Sequence, residues 1–342
     1  MTRKLKYGLL ATGVISVVVL VMLYALWQGF LHAGFENEET AYVYVRPETD
    51  ADDVCAQLDA LGGSHTRLFW SLVNKVKPYH PRTGRYAVEP GQTFLETYLN
   101  LRRGRQTPVR LTIPSVRTLD RLASVLGQKL MLDSVTLATA FYDSTFAATY
   151  GYNTATLPAL FIPNTYEVYW DTSLEKFMQR MVRENKDFWN REGRNDAAQA
   201  IGLSHEEVST LASIVEEETA NAAEKPRVAG LYMNRIRRGI PLQADPTVKF
   251  AVGDATLRRI LGNHLKTVSP YNTYINQGLP PGPIRIPSVV GIDAVLHYEH
   301  HDYLYMCAKE DFSGTHNFAV NFAEHKQNAR RYQQALNARG IH

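Results

Sequence analysis

Cysteine is scarce, with Cys55 and Cys307 the only two in 342 residues. They lie far apart and neither belongs to a C-x-x-C pair, which excludes a disulfide framework and a zinc module of the usual spacing. Both read as ordinary free thiols. An excess of one charge is lacking too, since 37 Lys and Arg stand against 34 Asp and Glu for a formal net charge of +3. That balance is too weak to make nucleic acid the main partner, and a polymer bound by this chain need not be acidic. Long charge runs, low-complexity tracts and internal repeats are missing. With 45% hydrophobic and 21% charged residues, the composition is that of a folded chain long enough for two domains.

Charge is also absent between Lys6 and Glu36, and Gly8 to Leu31 is almost entirely apolar. At about 1.5 Å per residue this stretch can span a bilayer core. A cleavable signal peptide is the alternative, but its apolar region is shorter, and Leu31-His32-Ala33-Gly34-Phe35 matches a cleavage site poorly. A retained anchor over residues 8–31 is therefore expected. Arg3, Lys4 and Lys6 precede it and Glu36, Glu38 and Glu39 follow it. The positive-inside rule then leaves residues 1–7 in the cytoplasm and the remainder outside the cytoplasmic membrane, as a single-pass protein.

Ala41 to Arg46 alternates like a strand, and Thr49-Asp50-Ala51-Asp52 reads as a capping box before a helix carrying Val54, Leu58 and Leu61 up to Gly62-Gly63. A second helix is expected after Ser64, with Leu68, Phe69, Leu72, Val73 and Val76 inward, ending at Pro78. Gly84 to Val88 is a second strand closed by a Pro90-Gly91 turn, and Thr93 caps a third helix with Phe94, Leu95, Tyr98 and Leu99. The result is a βααβ unit followed by a helix, with Tyr42, Tyr44 and Tyr86 as sugar-stacking candidates. A boundary falls near Gly104 to Thr107, because the strand Val109 to Ile113 opens a new segment. Helices are expected near 117–127, 133–147 and 173–191, around a proline-punctuated stretch from Leu157 to Trp170, and again after Gly202. Nothing further is expected beyond the last helix, which is followed closely by Ile341-His342.

Ser204-His205-Glu206-Glu207 is another capping box, opening a helix whose apolar arc is Val208, Leu211, Ala212, Ile214 and Val215. Three glutamates follow, Glu216, Glu217 and Glu218. Glu218 lies seven residues after Leu211 and four after Ile214, so it continues the arc while its two neighbours point elsewhere. A partly desolvated carboxyl group has a raised pKa and is prepared to donate a proton. The alternative is a solvated acidic face with the arc ending at Val215.

From this helix onward, specific motifs appear. Ala212-Ser213-Ile214-Val215-Glu216-Glu217-Glu218-Thr219 is followed by Val228 to Asn234 (VAGLYMN) with Arg235, then by Leu242-Gln243-Ala244-Asp245-Pro246-Thr247-Val248. Pro270-Tyr271-Asn272-Thr273-Tyr274, Gly278-Leu279-Pro280-Pro281-Gly282-Pro283-Ile284 and His316-Asn317-Phe318 complete the set. In this order they resemble the YceG-like (MltG) endolytic murein transglycosylase family, and Gly84-Arg85-Tyr86 with Pro90-Gly91-Gln92-Thr93 resembles the family's LysM-like subdomain. Several ordered motifs are far more specific than any single one.

The resemblance implies an α+β protein: the N-terminal transmembrane helix, a LysM-like βααβ subdomain over 41–105, and a mixed α/β YceG-like catalytic domain over 106–342. It implies a lyase that cuts nascent peptidoglycan glycan strands internally, from N-acetylmuramic acid to N-acetylglucosamine, leaving a 1,6-anhydro end. The second glutamate of the family's E-x-E-T maps onto Glu218 as the catalytic residue. One carboxyl group suffices, first as acid toward the glycosidic oxygen and then as base toward the sugar's own C6 hydroxyl. No metal or bound cofactor is expected. Expected partners are peptidoglycan glycan strands and the cytoplasmic membrane, with peptidoglycan synthases as neighbours and no nucleic acid. Gln243, Asp245, Tyr271, Asn272, Thr273, Tyr274, His316 and Asn317 offer donors, acceptors and aromatic faces suited to sugar, and are expected around Glu218.

Asn164 departs from the family, which has an aspartate in its F-x-P-D-T-[YW] motif where this chain reads Phe161-Ile162-Pro163-Asn164-Thr165-Tyr166. Residues 254–266, with Arg258, Arg259 and Lys266, form a basic connection expected to tune access. His297-Tyr298-Glu299-His300-His301 has the wrong spacing for H-E-x-x-H and H-x-x-E-H, so a polar helix end is preferred to a metal site. Two other function classes remain open at this level. One is a hydrolase in which Asp245 activates water, and the other is a wall-binding scaffold without activity.

Overall fold

The structure is a computed structural model that describes residues 3–32, 34–63, 65–254, 257 and 260–340. Ser64, Arg258, Arg259, Ile341 and His342 lie outside the described residues. The fold is mixed α and β, with three two-stranded sheets among many helices in the described residues. The chain divides into a unit comprising Met1–Val109 with Glu167–Thr172, and a unit comprising Arg110–Tyr166 with Ser173–His342.

The first unit begins with α1 (Arg3–His32), within which Ala11–His32 is long and apolar enough to cross a membrane, with a mean hydropathy of 2.2. Strand β1 (Ala41–Val45) is followed by α2 (Ala51–Asp59), α3 (Thr66–Val76), antiparallel β2 (Gly84–Val88) and α4 (Phe94–Arg103). Alternation turns Val43 and Val45 of β1 inward, opposite Tyr86 and Gly84 of β2, and buries Val88 opposite Ala41. Phe30, in the last turns of α1, stacks edge-on to Phe69 at 5.4 Å and lies 5.9 Å from Phe94.

Three local expectations shift in this unit. The α2 cap is Asp50, in a capping box with Asp53, because the Thr49 hydroxyl instead accepts the Arg46 N–H at 2.8 Å. On α3 the buried stripe is Thr66, Phe69 and Trp70, which leaves Leu68, Leu72 and Val76 exposed. The bulkier rings remove more apolar surface from water, so they take the core. Tyr86 belongs to the core, with its hydroxyl donating to the Arg82 carbonyl at 2.8 Å, and it offers no surface for sugar. Tyr42 and Tyr44 are exposed as expected, the first under the Arg85 guanidinium at 3.8 Å.

Strand β3 (Val109–Ile113), in the second unit from Arg110 onward, precedes α5 (Leu119–Lys129), α6 (Ser134–Phe141) and α7 (Ser144–Thr149). The last two were expected as one helix. Asp143 divides them by accepting the N–H groups of Thr145 and Phe146, a helix start in the middle of an apolar run. The proline-punctuated stretch contains a short 3-10 turn and β4 (Asn164–Val168), which pairs with β3. Next come α8 (Leu174–Asn190), α9 (Arg194–Ile201), α10 (His205–Glu218), α11 (Lys225–Arg237), α12 (Asp245–Val252) and α13 (Val289–Leu296). Strand β5 (Tyr305–Ala308) and antiparallel β6 (His316–Ala319) lead to α14 (Phe322–Ala338).

Helix α10 is the centre of this unit, packed on α11, α12 and α13. Its capping box forms as read, with Ser204 and Glu207. Every residue from Val208 to Val215 is buried, so the apolar arc widens to the whole circumference. The polar members satisfy themselves locally: Thr210 donates to the Glu206 carbonyl at 2.7 Å, and Ser213 donates to that of Thr210 and accepts the Ile284 N–H. Glycine at 230 has a packing reason, because a Cβ there would overlap the Glu299 carbonyl oxygen.

Candidate active site

The three glutamates at the end of α10 enter three different environments, as a rotation of about 100° per residue requires. Glu216 turns to Lys225, whose Nζ is 2.9 Å away, and accepts the Ser288 hydroxyl at 2.7 Å. Burial pushes its carboxyl group up, but the Ser288 and Lys225 hydrogen bonds outweigh that and hold it below the usual value. Glu217 is gripped by Arg117 on both oxygens, at 2.8 and 2.7 Å, and by Arg285 at 2.8 Å. These two carboxylates are ion-paired groups, not a solvated face.

Glu218 is the one of the three that faces a cavity of about 390 Å³ shared with Asp245. Its Oε1 accepts the Tyr232 hydroxyl of α11 at 2.6 Å. Burial pushes the carboxyl group from 4.5 up to about 7; the Tyr232 hydrogen bond pulls it down, Asp245 pushes it up, and His316 and Glu217 act in opposite senses with smaller weight. A carboxyl group poised there is populated in both forms near neutrality, so it can give a proton and take one back.

The structure brings Gln243, Asp245, Tyr274 and His316 into this cavity with Glu218. Asp245 opens α12, and its Oδ1 accepts the Tyr274 hydroxyl at 2.6 Å. The N-cap of α12 is Ala244, which makes no side-chain cap bond. Burial and then the Asp245 hydrogen bond raise the Tyr274 phenol, so it stays a donor. Gln243 has a positive φ of 52° and presents Oε1 to Arg235 at 3.2 Å. Backbone strain of this kind in a non-glycine residue concentrates at functional sites.

Four expected residues lie elsewhere. Tyr271 sits on a separate groove beside Arg117 and Ile286, its ring 4.6 Å from that of Phe250. Asn272 is fully buried and donates to the carbonyls of Leu265 and Thr267, which folds the loop. Thr273 is buried as well, its hydroxyl accepting the Ala244 N–H and meeting that of Thr247 at 2.8 Å. Asn317 donates to Glu310 at 2.6 Å. For Asn272 and Thr273 the physical role is to set the loop from which Tyr274 projects.

Tyr232 and Arg235 line the cavity without having been marked as site residues. They are three positions apart on α11, one helical face, inside the VAGLYMN-R motif, and that spacing was the available signal. Arg235 donates to the carbonyls of Leu304, Pro241 and Leu242, tying α11 to the segment that carries Gln243. Cys55 and Cys307 are free, and Cys307 lines the cavity. Burial, then Glu310, raises its thiol, which keeps it protonated and unreactive. The histidine-rich segment is engaged piecemeal: His297 contacts the Asp293 carbonyl, Glu299 pairs with Arg227, and His301 contacts Arg227 and Asn234.

A protein of Bacillus subtilis named endolytic murein transglycosylase is 35% identical to this chain over 167 residues, which is 49% of the chain and 45% of that protein. One of the same name from Streptococcus pneumoniae is 27% identical over 311 residues, 82% of the chain and 56% of the relative. The chain thus spans about half the length of the curated relatives it matches. A crystal structure of a yceG-like protein from Listeria monocytogenes superposes with a TM-score of 0.56 at 25% identity, covering 84% of this chain and 99% of that one. The YceG-like family model matches residues 43–331, which include every cavity residue named above, and on that match the chain belongs to the YceG-like family.

Proposed function

We propose that the protein is an endolytic peptidoglycan lytic transglycosylase, anchored in the cytoplasmic membrane by α1, with the chain that follows α1 outside. The observation that carries the reading is Glu218, a carboxyl group facing the cavity, held by Tyr232 and poised at about 7. Glu218 gives its proton to the glycosidic oxygen between N-acetylmuramic acid and N-acetylglucosamine, and the bond at C1 breaks. The C6 hydroxyl of the same muramyl residue closes on C1, its proton returns to Glu218, and a 1,6-anhydro end is left with no water consumed. Gln243, Asp245, Tyr274 and His316 contact the sugar. The names carried by the Bacillus and Streptococcus relatives support the same substrate.

A two-carboxylate hydrolase is favoured by one observation, that Asp245 lines the same cavity and raises the Glu218 pKa. Against it, Asp245 accepts the Tyr274 hydroxyl, an arrangement suited to positioning. Mass analysis of fragments released from polymerised glycan separates the two. Anhydro ends support the transglycosylase, whereas reducing ends, abolished by Asp245→Asn, establish the hydrolase.

The βααβ unit with α4 serves as a LysM-like glycan-holding element, supported by the exposed Tyr42 and Tyr44. The span Ala11–His32, with basic residues before it in the sequence and acidic residues after it, supports a retained anchor oriented outward. A mature N-terminus near Gly34 would instead make it a signal sequence.

A further inference from the structure

The link between α10 and α11 reaches in two directions. Lys225 turns back to Glu216, as described, while Glu224 turns forward to β6. Glu224 is 6% exposed and directs both carboxylate oxygens at one residue: Oε1 accepts the backbone N–H of His316 at 2.7 Å, and Oε2 meets its Nδ1 at 2.8 Å. A carboxylate at Nδ1 places a hydrogen on that nitrogen, so Glu224 sets both the tautomer and the orientation of the ring. Nε2 has no hydrogen-bond partner among the described residues, and His316 lines the cavity that Glu218 faces. No motif read from the sequence singles out Glu224.

We propose that Glu224 is a positioning residue, holding His316 so that its imidazolium form, which carries a proton on Nε2 as well as on Nδ1, stabilises the negative charge left on Glu218 when it gives up its proton. This rests on the transglycosylase reading. Between the two proton transfers the electron pair of the broken bond stays on the leaving oxygen, which has taken the Glu218 proton, and Glu218 is a carboxylate. In a partly apolar cavity that charge is costly, and a donor fixed in advance stabilises it without reorganisation. The other groups facing Glu218 are the carboxylates of Asp245 and Glu217, which oppose the charge, the Arg235 guanidinium, and the phenols of Tyr232 and Tyr274. His316 is the one whose aim depends on a dedicated buried partner. A purely structural Glu224 would need only the backbone N–H; the second oxygen on Nδ1 aims the ring.

The test uses the full-length chain with Glu224→Gln, His316→Gln and the double variant. Glutamine keeps the size of Glu224 and its acceptor for the N–H, but loses the charge at Nδ1. Glu224→Gln should lower kcat on polymerised glycan by about 10- to 100-fold, the scale of one charged hydrogen bond, with KM within about twofold, while His316→Gln, which also loses a sugar contact, should lower kcat at least as far and raise KM. The double variant should be no slower than His316→Gln alone. In glycan-free protein, the Glu218 carboxyl titration followed by carbon NMR should move to higher pH in Glu224→Gln, since the group opposing protonation has lost its hold. If Glu224→Gln fails to melt cooperatively, Glu224→Asp carries the same readouts with smaller shifts. Additive losses in the double variant, or an unmoved Glu218 titration, would overturn the proposal. Absence of anhydro ends from the unmutated protein would sink the transglycosylase reading instead, and the titration would still decide the role of Glu224.

Discussion

Glu218 works against the stability of the fold that holds it. Its pKa is raised from 4.5 to about 7, so the folded state binds a proton more tightly than the unfolded chain does. The favourable contribution of the protonated group is complete below about pH 4.5 and is lost as pH rises through 7. Glu218→Gln removes the ionisation and keeps the acceptor for Tyr232. Chemical denaturation at pH 8 should find this variant more stable by on the order of 2 kcal/mol, with the gain vanishing at pH 4. Glu216 is the opposite case. Its carboxylate neutralises Lys225, which is 5% exposed, so Glu216→Gln should cost about 3 kcal/mol in the same measurement at neutral pH while the folded fraction keeps its activity. Periodicity could separate these neighbours because they share one helix and differ only by rotation. It could not pair Tyr232 with Glu218 or Glu224 with His316, since those partners lie 14 and 92 residues apart. Nor could it tell that Asn272 and Thr273 bond inward, because polar residues in a turn serve a loop or a ligand equally well.

At the scale of elements, α10 and α11 must cross closely enough for Tyr232 to reach Glu218, and the crossing of α11 over the segment after α13 depends on Gly230. A Cβ there overlaps the Glu299 carbonyl, so Gly230→Ala should destabilise the protein by about 2 kcal/mol despite the better helix propensity of alanine. A lowered melting temperature would support this, and an unchanged or raised one would contradict it. Helices α4 and α10 announced themselves through their caps, Thr93 and Ser204. Where two candidates were adjacent, as at Thr49 and Asp50, the choice turned on which side chain the preceding strand had already engaged. Strand β4 was hidden because its partner β3 lies some fifty residues earlier and proline precedes it at 163.

At the scale of the whole molecule, the account assigns anchoring to α1, strand holding to the βααβ unit and chemistry to the α10 cavity. Deleting residues 41–105 should slow cleavage of long strands more than of short ones and leave the bond cut unchanged, because remote binding energy is what is lost. An unchanged rate on long strands would remove that role. A reporter fused after His342 should read as extracytoplasmic, and a cytoplasmic readout would reverse the orientation taken from Arg3, Lys4 and Lys6.

The central claim is that one carboxyl group, selected from three in a row, is both acid and base. Its most direct measurement is the single-turnover rate of anhydro-end formation on polymerised glycan for Glu218→Gln beside Glu217→Gln, with glycan binding measured on the same samples. The account predicts that Glu218→Gln binds glycan and forms no anhydro ends while Glu217→Gln retains substantial activity. Anhydro-ended fragments from Glu218→Gln at a near-normal rate would contradict it.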